Sequence, residues 1–533
     1  MQRESTYVLI VGGSLVGSSA ALFLAHHGVP AILVERHPGS SAHPRAIGYT
    51  PRTMELLASV GLGSRIPEAP RNFRLARARV ESLAGEWFEH SHWTPSKPEH
   101  FVKKEFSPSA GAAIAQDRME PILRERANEL GADIRMSTEL VDFTSDADGV
   151  TARVRTRQGS EYTIHAAYMI AADGGKSPVR EQLGIGHKGR GHMRTVRSVL
   201  FRAPLDSYLE RGVHQFEIDQ PDFKAFLTTY TDGRWILMFS DDQQRCEAAL
   251  RNSIVKAIGR TDLDIEIITT GRWELGALVA EQFSKGRVFL AGDAAHCLPP
   301  TRGGYGANTG IHDAHNLAWK LAAVFAGTST PALLETYDAE RRPVAWTRHQ
   351  QIFARPDYKE HLQPGTTADP IIDDEAMELG QLYRSSAVSG AGSDLPEAKC
   401  PDEWQGQPGT RAQHLALEQS GTPRSTLDLF GHDWVLLSED ARWSAPAANV
   451  SKQLGIAIQF IHVGKAIQLE DPQAFQTAFG VSASGASLVR PDGHVAWRAA
   501  ERPTAAETPE TALLDVMKGI THAAIRIAVD AVP

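Results

Sequence analysis

Cysteine is scarce: Cys246, Cys297 and Cys400 are the only three in 533 residues, and they lie far apart. That spacing excludes a disulfide framework, a CxxC redox pair and a four-thiolate zinc site. Basic charge is not in excess either. Lys and Arg total 55 against 64 Asp and Glu, a net charge of −9, so no global field draws the chain to nucleic acid or to an anionic membrane surface. Long apolar runs are missing as well. The one uncharged stretch, 7–25, is broken by Gly12, Gly13, Ser14 and Gly17 and runs into His26-His27-Gly28 before a second strand-like run. Strand, glycine turn, helix and strand explain it better than a signal peptide or membrane helix. GxSxG, HExxH and Walker patterns are absent too. What remains is an ordinary globular composition, 42% hydrophobic and 22% charged, in a chain long enough for about two to four domains and a core without crosslinks. Cytoplasm is the expected compartment.

The periodicity predicts a β-α-β unit: a strand over 7–11, a turn from Gly12, a helix to His27 stopped by Gly28, and a strand over 31–35. Helices are predicted over 51–60 and 117–130, and strands over 150–155 and 168–172. Between 195 and 275 the texture becomes successive β-rich runs, with Asp232-Gly233 as a hairpin pair. This reads as an antiparallel sheet inserted into an α/β domain. Residues 354–380 and 385–413 are rich in Pro, Gly, Ser and acidic side chains, and read as loops or a linker. From about Ser425 a small α/β domain follows, with a hairpin across Pro491-Asp492-Gly493 and a terminal helix.

Three motifs carry chemistry. Gly12-Gly13-Ser14-Leu15-Val16-Gly17 follows a strand. In a dinucleotide fold such glycines permit the tight turn, the approach of a pyrophosphate and close packing of helix on strand. Ser14 replaces the usual second glycine, and its hydroxyl is expected to donate to a phosphate. Glu35 lies 18 residues after Gly17, at the strand end where a carboxylate accepts ribose hydroxyls; Arg36 beside it is counted with it. Taken alone, this is also compatible with a glycine turn in an ordinary βαβ unit. The second motif, Ala171-Ala172-Asp173-Gly174-Gly175, and the third, Gly286 to His296 with Gly292-Asp293, are each a short apolar strand ending in an Asp turn. Pro299 to Gly310 then forms a glycine-rich loop before an amphipathic helix predicted to begin near Thr309 from Ile311, Ala314, Ala318, Leu321 and Phe325. Free N–H groups at that helix start suit negative charge.

In this order the motifs resemble the single-component, FAD-dependent aromatic hydroxylases over roughly residues 5–345. The resemblance implies an α/β fold with a Rossmann-like FAD-binding domain (1–71, 111–184, 276–395), an inserted antiparallel β-sheet substrate domain (72–110, 185–275) and a C-terminal thioredoxin-like domain (414–533). The last resembles that of the hydroxylases of polyketides and phenols, and it lacks CxxC. The resemblance places FAD, bound noncovalently, against Gly12, Ser14, Gly17, Glu35, Arg36, Arg45, Gln116, Asp173, Gly292 and Asp293. Pro300, Gly304, Ala307 and Asn308 fall to the flavin ring, the amides of the last two facing its N1–C2=O edge. Arg45 is suited to pyrophosphate charge by its fixed fork of donors. NADPH or NADH binds transiently, O₂ adds to the flavin as a C4a-hydroperoxide, and a small aromatic substrate is hydroxylated. The halogenase run Trp-x-Trp-x-Ile-Pro is absent. Arg384 is the candidate cation for deprotonating a phenol, with an interdomain ion pair as its alternative role. His312 and His315 are read as helix-face residues rather than metal ligands, and no metal site is expected. Alternatives are a flavin-dependent epoxidase or reductase, or a noncatalytic flavin-binding shield. No membrane or nucleic-acid partner is expected, and a homo-oligomer is possible.

Overall fold

The fold is described from a computed structural model covering residues 3–71, 75–92, 104–300, 304–355, 358, 369–418, 424–503 and 508–523. Its first sheet has a parallel core in the order Val288–Leu290, Glu161–Ala171, Arg3–Val11, Ala31–Glu35, Asp133–Met136. Val8–Val11, Ala31–Val34, Tyr168–Ala171 and Val288–Leu290 read as continuous apolar runs because both faces are covered there; Val8, Leu9, Ile10 and Leu33 are wholly buried. Helix α1 (Leu15–His26) packs on this sheet. It stops where Gly28, at φ +69°, turns the chain so that Val29 N–H bonds back to Leu24 C=O at 2.9 Å. Helix α2 (Pro51–Ser59) starts with Thr50 as cap and Pro51 at the first helical position. Helix α3 (Gln116–Glu129) follows, then α4 (Tyr305–Phe325) and α5 (Thr336–Ala354).

The second sheet runs His296–Cys297, Glu266–Ala280, His187–Arg202, Arg234–Phe239, Phe223–Thr229, Gln215–Gln220, Ala76–Val80, Trp87–His92. The expected β-rich insert is therefore there, but two long strands carry it, and their charged and glycine-rich halves (Lys188-Gly189-Arg190-Gly191) show no strand alternation. Bulges at Gly189/Gly191 and His192/Arg194 explain this, since each extra residue resets the period of two. The sheet also reaches into the first domain's motif: Leu278 pairs with Cys297 and Val279 with His296.

The C-terminal sheet is ordered Ile458–His462, Trp434–Ser438, Ala486–Val489, Val495–Ala499, the first pair parallel and the rest antiparallel. Gly493, at φ +79°, closes the expected hairpin. Its core continues into the first domain: Trp319 of α4 meets Trp434 edge to face at 6.1 Å, with Leu333 and Ala387 in the same cluster. Buried charges reinforce the contact. Arg490 holds Glu340 of α5 at 2.6 Å, Lys320 of α4 donates to the same carboxylate at 2.8 Å, and Arg411 bonds Glu55 of α2. No helix among the described residues is long and apolar enough to cross a membrane.

Burial opposes ionisation of Glu340 and Glu55, but Arg490 with Lys320, and Arg411 with Arg52, hold both carboxyls below the ordinary range. A depressed carboxyl stabilises the fold above its unfolded pKa and loses that contribution as pH falls through the folded value. The joint is therefore expected to keep full strength near neutrality and weaken below about pH 4. Tryptophan emission during acid titration should report the change. Trp319→Ala should cost about 3–5 kcal/mol in denaturant unfolding.

Candidate active site

The site is built where α1 and α4 converge on the Gly292 loop. Gly12 has φ +102°, and a Cβ there would lie 2.3 Å from Ala172 O; one on Gly17 would lie 1.8 Å from Gly12 O. Both positions are closed to any side chain, so the helix start sits directly on the strand ends. Gly292 and Gly310 do the same one layer over. A Cβ on Gly310 would come 2.5 Å from Val16 Cγ2 and 2.9 Å from Gly292 Cα. Ser14 stands at the cap position of α1 but makes no capping bond, leaving the first-turn N–H groups without a side-chain acceptor and open to an anion.

Ser14 departs from expectation. Its hydroxyl donates to Glu120 Oε1 at 2.7 Å and accepts from Gln116 Nε2 at 3.0 Å. Its one proton is engaged, so the phosphate is left to backbone amides. Gln116 is the hub. Its Oε1 accepts from Arg45 N at 3.4 Å and Ala46 N at 3.2 Å, and its Nε2 also donates to Glu120 at 2.8 Å. Arg124, unremarked in the sequence, donates to Gly13 O at 3.2 Å and Ser40 Oγ at 2.8 Å. Glu35 Oε2 accepts from Gly13 N at 2.6 Å, while Oε1 accepts from His37 N at 2.8 Å and shares a 2.6 Å hydrogen bond with His37 Nδ1, which leaves a lone pair of Oε2 for a ribose hydroxyl. Arg36 beside it is exposed. Arg45 and Asp293 face each other at 3.6 Å, both partly exposed.

Asp173 and Arg384 each find partners close by in the chain. Asp173 accepts from Ser177 Oγ at 2.6 Å and Val179 N at 3.1 Å within its own turn, and burial raises its pKa. It shapes the turn against Gly12. Arg384 is bound into the linker: it donates to Gly392 O at 3.1 Å, Pro396 O at 3.2 Å, Glu397 Oε1 at 3.0 Å and the Leu395 carbonyl. With its donors consumed by residues 392–397, it is a loop clamp rather than a catalytic cation.

Helix α4 begins one turn earlier than its apolar period predicts. Gly304 caps it in the left-handed region at φ +57° with no side-chain capping bond, so Gly306 and Ala307 fall in the first turn, before the helical ladder begins, while the N–H of Asn308 already falls inside it. The wholly buried Asn308 side chain fixes the helix start: it donates to Gly304 O at 2.8 Å and Gly48 O at 3.2 Å, and accepts from Thr50 N at 3.0 Å and Thr53 Oγ1 at 2.6 Å. Pro300 is exposed, its carbonyl accepting from Tyr358 OH at 2.6 Å. Loop residues 301–303 lie outside the described residues.

Sequence reasoning missed the group beneath these loops. Asp313, fully buried, accepts from Gly292 N at 3.2 Å, His296 Nε2 at 2.7 Å and Arg341 Nε at 2.8 Å. Burial would raise its pKa, but His296 and Arg341 outweigh that and hold it below the carboxylate range. His43 was missed too. Its Nε2 shares a 2.9 Å hydrogen bond with Ser198 Oγ, and its ring meets Trp273 at 5.3 Å. Gly271 leaves room for it, since a Cβ there would come 2.9 Å from His43 Nε2. Its place two residues before Arg45 was the available signal.

Residues 5–351 match the family model described as FAD binding domain, and 405–519 match that described as aromatic-ring hydroxylase, C-terminal. The chain belongs to the FAD-dependent aromatic-ring hydroxylases. It is 39% identical to a 4-methyl-5-nitrocatechol 5-monooxygenase of Burkholderia sp, over 96% of this chain and 97% of that one. It is also 39% identical to a tetracenomycin A2 monooxygenase-dioxygenase of Streptomyces glaucescens, over 94% and 95%. The structure of an aklavinone-11 hydroxylase with FAD and aklavinone superposes with a TM-score of 0.85 at 35% identity, covering 98% of this chain and all of that one. The enzyme is thus an FAD-dependent monooxygenase, and its glycine cradle, Glu35 carboxylate and uncapped helix starts suit that dinucleotide.

Asp293→Ala should weaken FAD retention by roughly 1–3 kcal/mol, measured as flavin lost on dialysis. Asp313→Asn should unfold the protein more readily by about 3–5 kcal/mol, because Arg341 is left buried without its counter-charge.

Proposed function

We propose that this enzyme hydroxylates a phenolic or polycyclic, polyketide-like aromatic ring, using NADPH or NADH and O₂. One observation carries the substrate class. Where the second sheet meets the Arg45 loop, Ile47 packs with Leu200, Tyr230, Ile236, Met238 and Trp273 in a cluster that is apolar and aromatic. A flat ring system finds dispersion and edge contacts there, and a charged acyclic substrate would find none. The relatives' names, a nitrocatechol, tetracenomycin and aklavinone, support the same class.

FAD, when bound, supplies hydride acceptance and oxygen activation. The chain's own residues do the rest. The amides of Gly306 and Ala307 and the positive end of α4 would favour negative charge on the flavin edge. Arg45 and Asp293 would serve the pyrophosphate and ribityl chain, and Pro300 would pack against the ring. The loop holding Arg45 is gripped from both sides: by Gln116 of α3, and by the sheet through Tyr230 OH to Pro44 O at 2.6 Å and the His43–Ser198 bond. Substrate seated on the sheet would thereby bear on the flavin.

The purified protein should be yellow and release FAD on denaturation. A panel of phenols and polycyclic aromatics should raise NADPH consumption by about 10-fold to 1000-fold over the substrate-free rate, roughly 1.4–4 kcal/mol of barrier. Oxygen-18 from O₂ should appear in an aromatic hydroxyl. A shield would bind ligand and give no oxygenated product, an epoxidase would label a ring-opened diol or epoxide, and label entering from water would overturn the reading.

A further inference from the structure

Between α2, α4 and the Arg490–His494 turn lies a cavity of about 20 Å³, lined by Arg52, His312, Gln381, Tyr383, Arg411 and His494 among others. That is room for one small ion or one or two waters. Its surroundings carry unbalanced charge. Arg52 and Arg411 share the single carboxylate of Glu55. Arg490 and Lys320 balance Glu340 and Asp492. Arg348 reaches Glu378 at 3.4 Å. Five cations therefore meet four carboxylates. Burial lowers the pKa of His312, His315 and His494 and so favours their neutral form, which neither adds to this charge nor offsets it. A buried cation without a counter-ion is costly.

Two donors on the wall lack a partner among the described residues: Arg411 Nη1, on a side chain only 3% exposed, and Gln381 Nε2. Glu378 Oε1 is also unpartnered there. We propose that this cavity binds a small monovalent anion of halide size. Water could accept these hydrogen bonds, but it cannot cancel the excess charge. A phosphate or carboxylate ligand exceeds the space. Because the walls come from both sides of the joint, occupancy ties the C-terminal domain to α2 and α4. The inference stands apart from the substrate reading.

The test uses the full-length, FAD-loaded protein at constant ionic strength, with sodium bromide or chloride exchanged for sodium gluconate, whose anion is too large to enter. The melting temperature should climb with the logarithm of halide concentration, by roughly 2 °C once halide is 100-fold above its Kd. Gln381→Leu, which removes a donor and fills space while leaving the ion pairs, should flatten that dependence. Bromide-soaked crystals should show an anomalous peak between Arg411 and Gln381. A wild-type melting temperature indifferent to the exchange overturns the proposal, as does a Gln381→Leu protein with the full halide response. A bromide peak without the solution effect means an adventitious ion only, and overturns it equally.

Discussion

The organisation of this enzyme depends on backbone meeting backbone at the glycines. Gly17 rests on the Gly12 carbonyl, and Gly310 of α4 rests on Gly292 and Val16, at separations no Cβ survives. That contact brings two helix starts to one place, and only two uncapped helix starts together offer anion-binding amides to both ends of a long, charged cofactor. Asp313 then locks the arrangement from below, taking the Gly292 amide, His296 and Arg341 on one carboxylate. Glycine supplies the proximity, and a buried, fully bonded charge fixes it.

The parts of the molecule legible in sequence were those governed by local rules. The first β-α-β unit, α2 and the Pro491–Gly493 hairpin follow from period, caps and turn residues. The family match follows from motif order. The two long strands of the second sheet were partly hidden, because bulges and charged edge residues erase alternation. The start of α4 was misplaced because its first turn, Tyr305-Gly306-Ala307-Asn308, is chosen for ligand and tether rather than for an apolar face. Asp173 and Arg384 are held by partners in their own turn and loop, which residue type alone does not reveal. Ser14 shows a different limit. Residue type indicates what a side chain is able to bond, whereas the partner comes from a distant segment: Glu120 lies 106 positions after Ser14. For the same reason Asp313 and His43 went unread, since their partners lie in other elements.

The C-terminal domain has no thiol chemistry. Cys400, the cysteine nearest to it, has its pKa pushed to about 11 by burial and by Asp373, which leaves it a poor nucleophile. Its contribution is mechanical. Through Trp434 it covers Trp319 in the middle of α4, and through Arg490 it neutralises Glu340 of α5. Both helices lead back to the cofactor end, where Arg341 and Arg348 of α5 grip Thr309 of α4.

One pairing has a bearing on how such enzymes diversify. His296–Cys297, immediately after the Gly292-Asp293 turn, forms the edge ladder of the second sheet with Leu278 and Val279. The Gly292-Asp293 turn and the second sheet are thus successive parts of one hydrogen-bonded structure. A sheet borrowed from a relative would have to arrive in the same register, because a slip of one residue would turn His296 away from Asp313. New substrates are then reached more readily by changing side chains on a retained sheet than by exchanging the sheet as a cassette, and lineages of such hydroxylases should differ at sheet-facing positions long before they differ in strand count.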